Sequence, residues 1–152
     1  MELGKSVQNN RGFTLIELMV TIAVLAIITT IAAPSFSNLL EKQNLNRSTQ
    51  ELISILKMAR SKAVLERREV KVVLNSRVED TPSQLNWNVQ GKSHLKSGSP
   101  TEIIFQLNGG VKNYSSDISG KPFIICDKNG GSRSKNVQVA LMGTVEVIEG
   151  TC

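Results

Sequence analysis

The most prominent feature of the chain is an apolar run near its start. The 23 residues from Leu18 to Leu40 contain no charged side chain, and about 20 such residues suffice for a helix to cross a bilayer. A short polar leader with Lys5 and Arg11 precedes the run. Because basic residues favour the cytoplasmic side, we expect one membrane helix over 13–36, with the rest of the chain outside the cytoplasm.

A second apolar pattern, with helical spacing, follows the membrane run. Its members are Leu39, Leu45, Leu52, Ile55, Leu56, Ala59 and Ala63. We therefore predict one helix from Phe13 to about Glu66, about 80 Å long at 1.5 Å per residue, whose second half, 37–66, packs on a globular head. A coiled coil is the alternative, but the spacing favours a single packed face. Pro34 is predicted to kink the helix, because proline removes one backbone hydrogen bond.

After Arg68 the pattern changes to short segments rich in β-branched residues, separated by segments rich in Gly, Ser, Asn and Pro. The predicted strands are Val70–Leu74, Trp87–Val89, Ile103–Leu107, Phe123–Cys126, Val137–Leu141 and Val145–Ile148. The sequence thus predicts an α+β chain, in which a long helix packs on an antiparallel sheet of about five or six strands within 69–152.

Composition excludes several kinds of site. With one histidine, His94, and two cysteines, the chain has too few ligands for a His-rich metal centre or a four-thiolate zinc site. It also lacks a G-x-S-x-G elbow, a phosphate loop and an H-E-x-x-H motif. His94 lies in GKSHLKSGS, which predicts a surface loop. We therefore expect no enzymatic activity, no metal and no cofactor.

A specific motif joins the polar leader to the apolar helix. The string RGFTLIE at 11–17 closely resembles the class III signal of type IV pilins and type II secretion pseudopilins. This resemblance implies that a prepilin peptidase removes 1–12 by cutting after Gly12, and that it methylates the new amine of Phe13. The stretch LKMARSKAVLERREVKVVL resembles the helix-to-strand junction of the GspH and FimT group of minor pilins. A pilin-like fold with a head over 37–152 is implied.

Glu17 places an ionisable group at the start of the apolar helix. A carboxylate costs about 2.5 kcal/mol or more within a bilayer unless it is paired or near the interface. The resemblance implies a partner, because the matching glutamate of pilins is held to neutralise the terminal amine of a neighbouring subunit during assembly. The alternative is a boundary carboxylate that stabilises the helix N-terminus through the macrodipole.

The two cysteines lie in the part of the chain that is predicted to reach an oxidising compartment. We predict a disulfide between Cys126 and Cys152, which would tie the last residue to a central strand. Closing about 26 residues should stabilise the head by about 3 to 4 kcal/mol in the chain-entropy model. Two free thiols or an intermolecular bridge are the alternatives.

The resemblance implies a minor pilin that joins or primes a type IV pilus, as part of a tip complex. Its expected partners are other pilin subunits, the prepilin peptidase and the inner membrane, with the head in the periplasm before assembly into a pilus or pseudopilus. One alternative is a minor pseudopilin of a type II secretion system, because both classes use the same helix.

Another alternative is a DNA receptor for natural transformation. The DNA-binding branch of the family carries a Gly-Arg-x-Arg motif near its C-terminus, whereas the best match here, 143–146, reads GTVE and lacks both arginines. A substitute is a set of basic residues in the head, for which solvated turns are the favoured interpretation. These residues are Lys121, Lys128, Arg133 and Lys135.

Overall fold

The computed structural model describes residues 12–152, so that the predicted leader lies outside the described residues except for Gly12. A single helix, α1 (Leu15–Glu66), opens the described chain and contains Pro34. It ends where Arg67 adopts a left-handed conformation, with φ 51°, and the Arg68 amide donates to the Ala63 carbonyl at 3.2 Å. This arrangement satisfies a carbonyl of the last turn and stops the helix. The predicted helix is confirmed to within about two residues at its start.

The chain divides into two compact units, the first ending at Asn38 and the second spanning Leu39–Cys152. The described part of the first unit is apolar, and every residue in it is exposed. The most apolar window of α1 has a mean hydropathy of 2.4, and none of that window is buried. Among residues 12–152, α1 is the one helix long and apolar enough to cross a membrane.

The second half of α1 supplies one wall of the head's core. Five of the seven residues predicted for its packed face are buried, whereas Leu39 is 51% exposed and Ile55 is partly buried. The buried members are Leu45, Leu52, Leu56, Ala59 and Ala63. The prediction was therefore wrong for Leu39, because helical spacing assigns a face without showing where the head begins.

Seven strands follow α1 and form two sheets. They are β1 (Val70–Leu74), β2 (Gln84–Trp87), β3 (His94–Leu95), β4 (Glu102–Phe105), β5 (Phe123–Cys126), β6 (Ser134–Val139) and β7 (Val145–Gly150). The first sheet has the order β2-β1-β4, and the second has the order β3-β5-β6-β7. A π-helical turn at Tyr114–Ile118 lies between β4 and β5. The predicted α+β arrangement of a long helix and antiparallel strands is confirmed, although the strands divide between two sheets and β1 pairs with β2 in parallel.

One predicted strand overlaps the observed one at a single residue, and one observed strand was not predicted. The predicted strand Trp87–Val89 begins at the last residue of β2. The start of β2 was missed because Gln84 and Asn86, which alternate with its buried residues, are polar and resemble loop residues in the sequence. Residues His94–Leu95 were expected in a surface loop, yet they pair with β5, with His94 opposite Cys126. A two-residue strand is too short to show a period of two, so only the pairing partner defines it.

The core lies between the buried face of α1 and the inner faces of the strands. Its largest fully buried side chains include Trp87, Phe105 and Phe123. The Trp87 indole N–H donates to the Ser48 carbonyl of α1 at 3.1 Å, and the Ser48 hydroxyl accepts the Gln90 amide at 2.9 Å. Burial of the indole therefore leaves its polar group satisfied and attaches β2 to the helix.

Candidate processing and assembly site

Gly12 and Phe13 lie in the segment without regular secondary structure immediately before α1, and both are exposed, Phe13 by 91%. A Cβ added to Gly12 would meet no atom within 4 Å. The peptide bond between these two residues is therefore accessible, and a larger side chain at Gly12 would not disturb the described fold. The roles of Gly12 and Phe13 in processing remain predictions.

Thr14 and Glu17 cap the N-terminus of α1 through reciprocal side-chain hydrogen bonds. The Glu17 amide donates to the Thr14 hydroxyl at 3.2 Å, and both the Thr14 amide and its hydroxyl donate to Glu17 Oε2 at 3.2 Å. This geometry is a capping box, in which two otherwise unpaired donors of the first turn are satisfied. The sequence analysis missed Thr14, although the spacing T-x-x-E before an apolar run predicts this contact.

Both hydrogen bonds to the Glu17 carboxylate fall on Oε2. Among the residues that the structure describes, Oε1 accepts no hydrogen bond. Glu17 can therefore cap its own helix and still offer its other oxygen to a cation. The two interpretations of Glu17, as a helix-terminal carboxylate and as an assembly contact, are physically compatible.

The threonines of the apolar run satisfy their own hydroxyl groups. Thr21, Thr29 and Thr30 each donate to the carbonyl three residues earlier, at 2.7 to 2.9 Å. In hydrocarbon an unsatisfied hydroxyl is costly, whereas a hydroxyl bonded to its own backbone is tolerated. Pro34 interrupts the same segment and, lacking an N–H, leaves the Thr30 carbonyl without its usual helical donor. The kink at Pro34 stays a prediction.

The predicted disulfide is present, joining Cys126 at the end of β5 to Cys152 after β7. Their Cα atoms lie 5.9 Å apart, and Cys126 is buried. Lys96 Nζ donates to the Cys152 carbonyl at 3.0 Å, and the Cys152 amide donates to the Ser132 carbonyl at 3.4 Å. The end of the chain is thus attached to the second sheet by one covalent bond and two hydrogen bonds, and this prediction is confirmed.

The four basic residues that could contact DNA all have partners within the chain. Lys121 Nζ donates to the Ser116 carbonyl at 2.6 Å. The other three face carboxylates, and these pairs are Lys128 with Glu41 at 2.9 Å, Arg133 with Asp127 at 3.0 Å and Lys135 with Glu149 at 3.9 Å. Neighbouring carboxylates weaken the attraction of such residues for phosphate.

Strand pairing separates these basic residues into two places. Cys126 pairs with Ser134, so the loop that carries Lys128 and Arg133 lies at one end of β5 and β6. Lys121 precedes β5 and therefore lies at its other end. The structure brings three of the four residues to one end of the sheet, but it does not form a single patch from all of them.

Glu41 is a buried ionic residue that the sequence analysis missed. Its side chain is only 6% exposed, and its carboxylate lies 2.9 Å from Lys128 Nζ and 3.9 Å from Lys92 Nζ. The 2.9 Å contact with Lys128 is an ion pair without hydrogen-bond geometry. Glu41 therefore links α1 electrostatically to the loops after β2 and β5. The surrounding sequence, EKQNLNR, is so polar that no pattern singles out one carboxylate for burial.

Residues 12–152 contain no group of three or more His, Cys, Asp or Glu side chains placed to hold a metal ion.

Family comparisons agree with this arrangement of an apolar helix and a head. The model described as a prokaryotic N-terminal methylation motif matches 7–33, and the model described as type II transport protein GspH matches 48–143. Two proteins of Pseudomonas aeruginosa, each named "Fimbrial protein", are 30% and 29% identical to the chain over 132 and 131 residues. Each alignment covers 80% of this chain and 81% of the relative.

No solved structure shows significant similarity to the chain. The GspH model alone nevertheless covers more than half of the residues, and it includes most of the second half of α1 and six of the seven strands. The methylation-motif model covers the junction and most of the apolar run. The chain therefore belongs to the GspH family of type IV pilin-like proteins.

Proposed function

We propose that this chain is a minor pilin, which enters a type IV pilus or primes its assembly at the tip after removal of residues 1–12. The observation that carries the proposal is the exposed segment Gly12–Phe13, followed by a capped apolar helix with no buried residue before Glu41. A soluble protein would bury such a surface, so the helix requires lipid or the apolar core of a filament.

The proposed assembly step uses the ends of two such helices. Cleavage after Gly12 gives Phe13 a free amine, which is positively charged and lies close in sequence to Glu17. In a bundle, the Oε1 atom of Glu17 would accept this amine from a neighbouring subunit while Oε2 keeps the cap with Thr14. Pairing the two charges offsets the cost of placing each of them in an apolar filament core.

The proposed location follows from the helix and the disulfide. The processed chain spans the inner membrane once, with its head in the periplasm, before it joins the filament. An intramolecular disulfide is typical of an oxidising compartment and supports this orientation. Other pilin subunits, the prepilin peptidase and the membrane are the proposed partners. The role is structural, with no catalytic turnover, no metal and no cofactor.

The direct test is the mass of the protein isolated from its native membrane and from sheared filaments. We expect an N-terminus at Phe13 that carries one added methyl group. Gly12→Val should leave the uncut precursor, because the peptidase must accommodate the residue before the cut. Gly12→Ala is the matched control and should still be cut, because alanine is small. Both substitutions fit the open space around Gly12, so a difference between them reports the peptidase and not the fold. Intact residues 1–12 in assembled filaments would refute the proposal.

A role as a minor pseudopilin of a type II secretion system is the second candidate, because the matching family model bears the description of a type II transport protein. The two roles use the same processed helix and differ in the assembly that contains it. Deletion of the gene separates them. Loss of surface pili with normal secretion of folded proteins supports the pilus role, and the reverse result supports the secretion role.

A further inference from the structure

The strand β7 (Val145–Gly150) forms an edge of the second sheet. Within residues 12–152, no strand pairs with its outer side. Natural edge strands are commonly protected by charged side chains, especially lysine, or by proline, a bulge or shortness. β7 reads VEVIEG, so its charged side chains are Glu146 and Glu149, and it has no lysine or proline. It pairs with β6 in continuous register over all six residues and exposes Val147 by 37% and Ile148 by 44%.

The backbone groups that point away from the sheet can be identified from the pairing with β6. The Ala140 amide donates to the Thr144 carbonyl at 2.9 Å, and the Cys152 amide donates to the Ser132 carbonyl at 3.4 Å. Hydrogen-bonded pairs recur at every second residue of an antiparallel ladder. The even-numbered residues of β7 therefore bond to β6, and Val145, Val147 and Glu149 direct their N–H and C=O groups outward.

The side chains of β7 define what a strand added at this edge must carry. Val145 and Val147 lie opposite Val139 and Val137, which are buried, so they belong to the face that covers the core. Glu149 lies on the same face and is 87% exposed at its side chain. Glu146 is exposed on the opposite face, where it pairs with the exposed Gln138.

We propose that the β7 edge binds an extended segment of another protein, which pairs with β7 in antiparallel orientation. Backbone hydrogen bonds to the three outward residues provide affinity, as in other cases of strand addition. The added strand carries an apolar side chain opposite Val147 and basic side chains opposite Glu146 and Glu149, because opposite charges across a strand pair stabilise it. The proposal does not depend on the pilus role.

A second copy of this chain is a poorer occupant. β7 contains two carboxylates and no basic residue. Pairing two copies of β7 would therefore place four carboxylates on one two-stranded ribbon, with no opposite charge in either strand to compensate them. Charge complementarity thus selects a basic partner over self-association.

The probe is the synthetic peptide TKVVKVT, whose two lysines and central valine match the required pattern in antiparallel register. The full chain is held in non-ionic detergent, and amide hydrogen exchange is followed by NMR with and without the peptide. Without peptide, we expect the amides of Val145, Val147 and Glu149 to exchange fast and those of Glu146 and Ile148 to exchange slowly. Saturating peptide should slow the three outward amides at least about tenfold.

Two substitutions make the test specific. Val147→Pro removes an outward N–H without removing a bond to β6, so binding of TKVVKVT should be lost while the amides of β5 stay protected. If this variant does not fold, the double variant Glu146→Lys, Glu149→Lys replaces it. Both positions are exposed, and we expect about tenfold weaker binding of TKVVKVT and stronger binding of the matched peptide TEVVEVT.

Several results would overturn the proposal. These are no binding of TKVVKVT at millimolar concentration, equal binding of both peptides by the wild type, and binding that leaves the outward amides in fast exchange. Protection of the same amides that rises with protein concentration in the absence of peptide would identify a second copy as the occupant.

Discussion

Glu17 combines two interactions that single substitutions can separate. Its Oε2 atom accepts the hydrogen bonds of the cap with Thr14, and its negative charge is available to a cation. A cap needs only an acceptor oxygen, whereas pairing with an amine needs the charge. A carboxamide at this position keeps the first function and loses the second.

We therefore expect Glu17→Gln to insert in the membrane and keep its head folded, but to be depleted several-fold in sheared filaments relative to the membrane fraction. Thr14→Val is the control, since it removes the capping hydroxyl at a cost of about 1 kcal/mol and keeps the charge. Quantitative immunoblots of both fractions provide the measurement. Normal incorporation of Glu17→Gln, with depletion of Thr14→Val, would assign the role to the cap instead of the charge.

Among the secondary-structure elements, β5 and the segment after β7 are joined by the disulfide. The bond between Cys126 and Cys152 closes a loop of 26 residues that contains all of β6 and β7. In the unfolded chain this closure removes conformational freedom, and the folded head therefore gains stability relative to it.

Reduction of the disulfide should lower the free energy of unfolding of the head by about 3 to 4 kcal/mol. Urea titration of the full chain in non-ionic detergent, with and without reductant, measures the difference. Trp87 is the sole tryptophan and is buried, so its fluorescence reports unfolding of the head. The double variant Cys126→Ala, Cys152→Ala should match the reduced wild type. A loss below about 1 kcal/mol in both cases would contradict the chain-entropy argument.

For the molecule as a whole, the formal net charge of +5 gives little information about a nucleic-acid surface. Three of the four basic residues selected in the sequence face carboxylates, and the fourth donates to a backbone carbonyl. Glu146 stands exposed near the β6–β7 turn, where the DNA-binding branch of the family has arginine. A positive sum over the chain is therefore compatible with the absence of a strongly attracting surface.

We expect the full chain to bind duplex DNA weakly, with an affinity that falls as salt is added and does not depend on sequence. Arg133→Ala with Lys135→Ala should change that affinity little, because both side chains already lie near carboxylates. Fluorescence anisotropy across a salt series is the measurement. Tight binding near physiological salt that the double variant abolishes, with a salt slope flatter by about two, would instead establish the DNA-receptor role.

Local patterns predicted several features whose physical cause is local. The uncharged run, the helix to Glu66 and the position of β1 all follow from spacing, and the structure confirms them. Thr14 could also have been identified, since the capping box requires only a fixed spacing of residue types. By contrast, the position of β2 was missed because its polar residues alternate with buried ones over only four positions.

The residue pattern alone identifies the class of protein, because RGFTLIE before an uncharged run is a local signal. Amphipathic spacing and β-branched segments likewise specify a helix and strands. The folded structure was needed to show which strands pair, that Glu41 is buried between two lysines, that β3 exists and that no strand within residues 12–152 pairs with the outer side of β7. The reason is physical. Burial and pairing depend on contacts between residues distant in the chain, and many pairings satisfy the same periodicity.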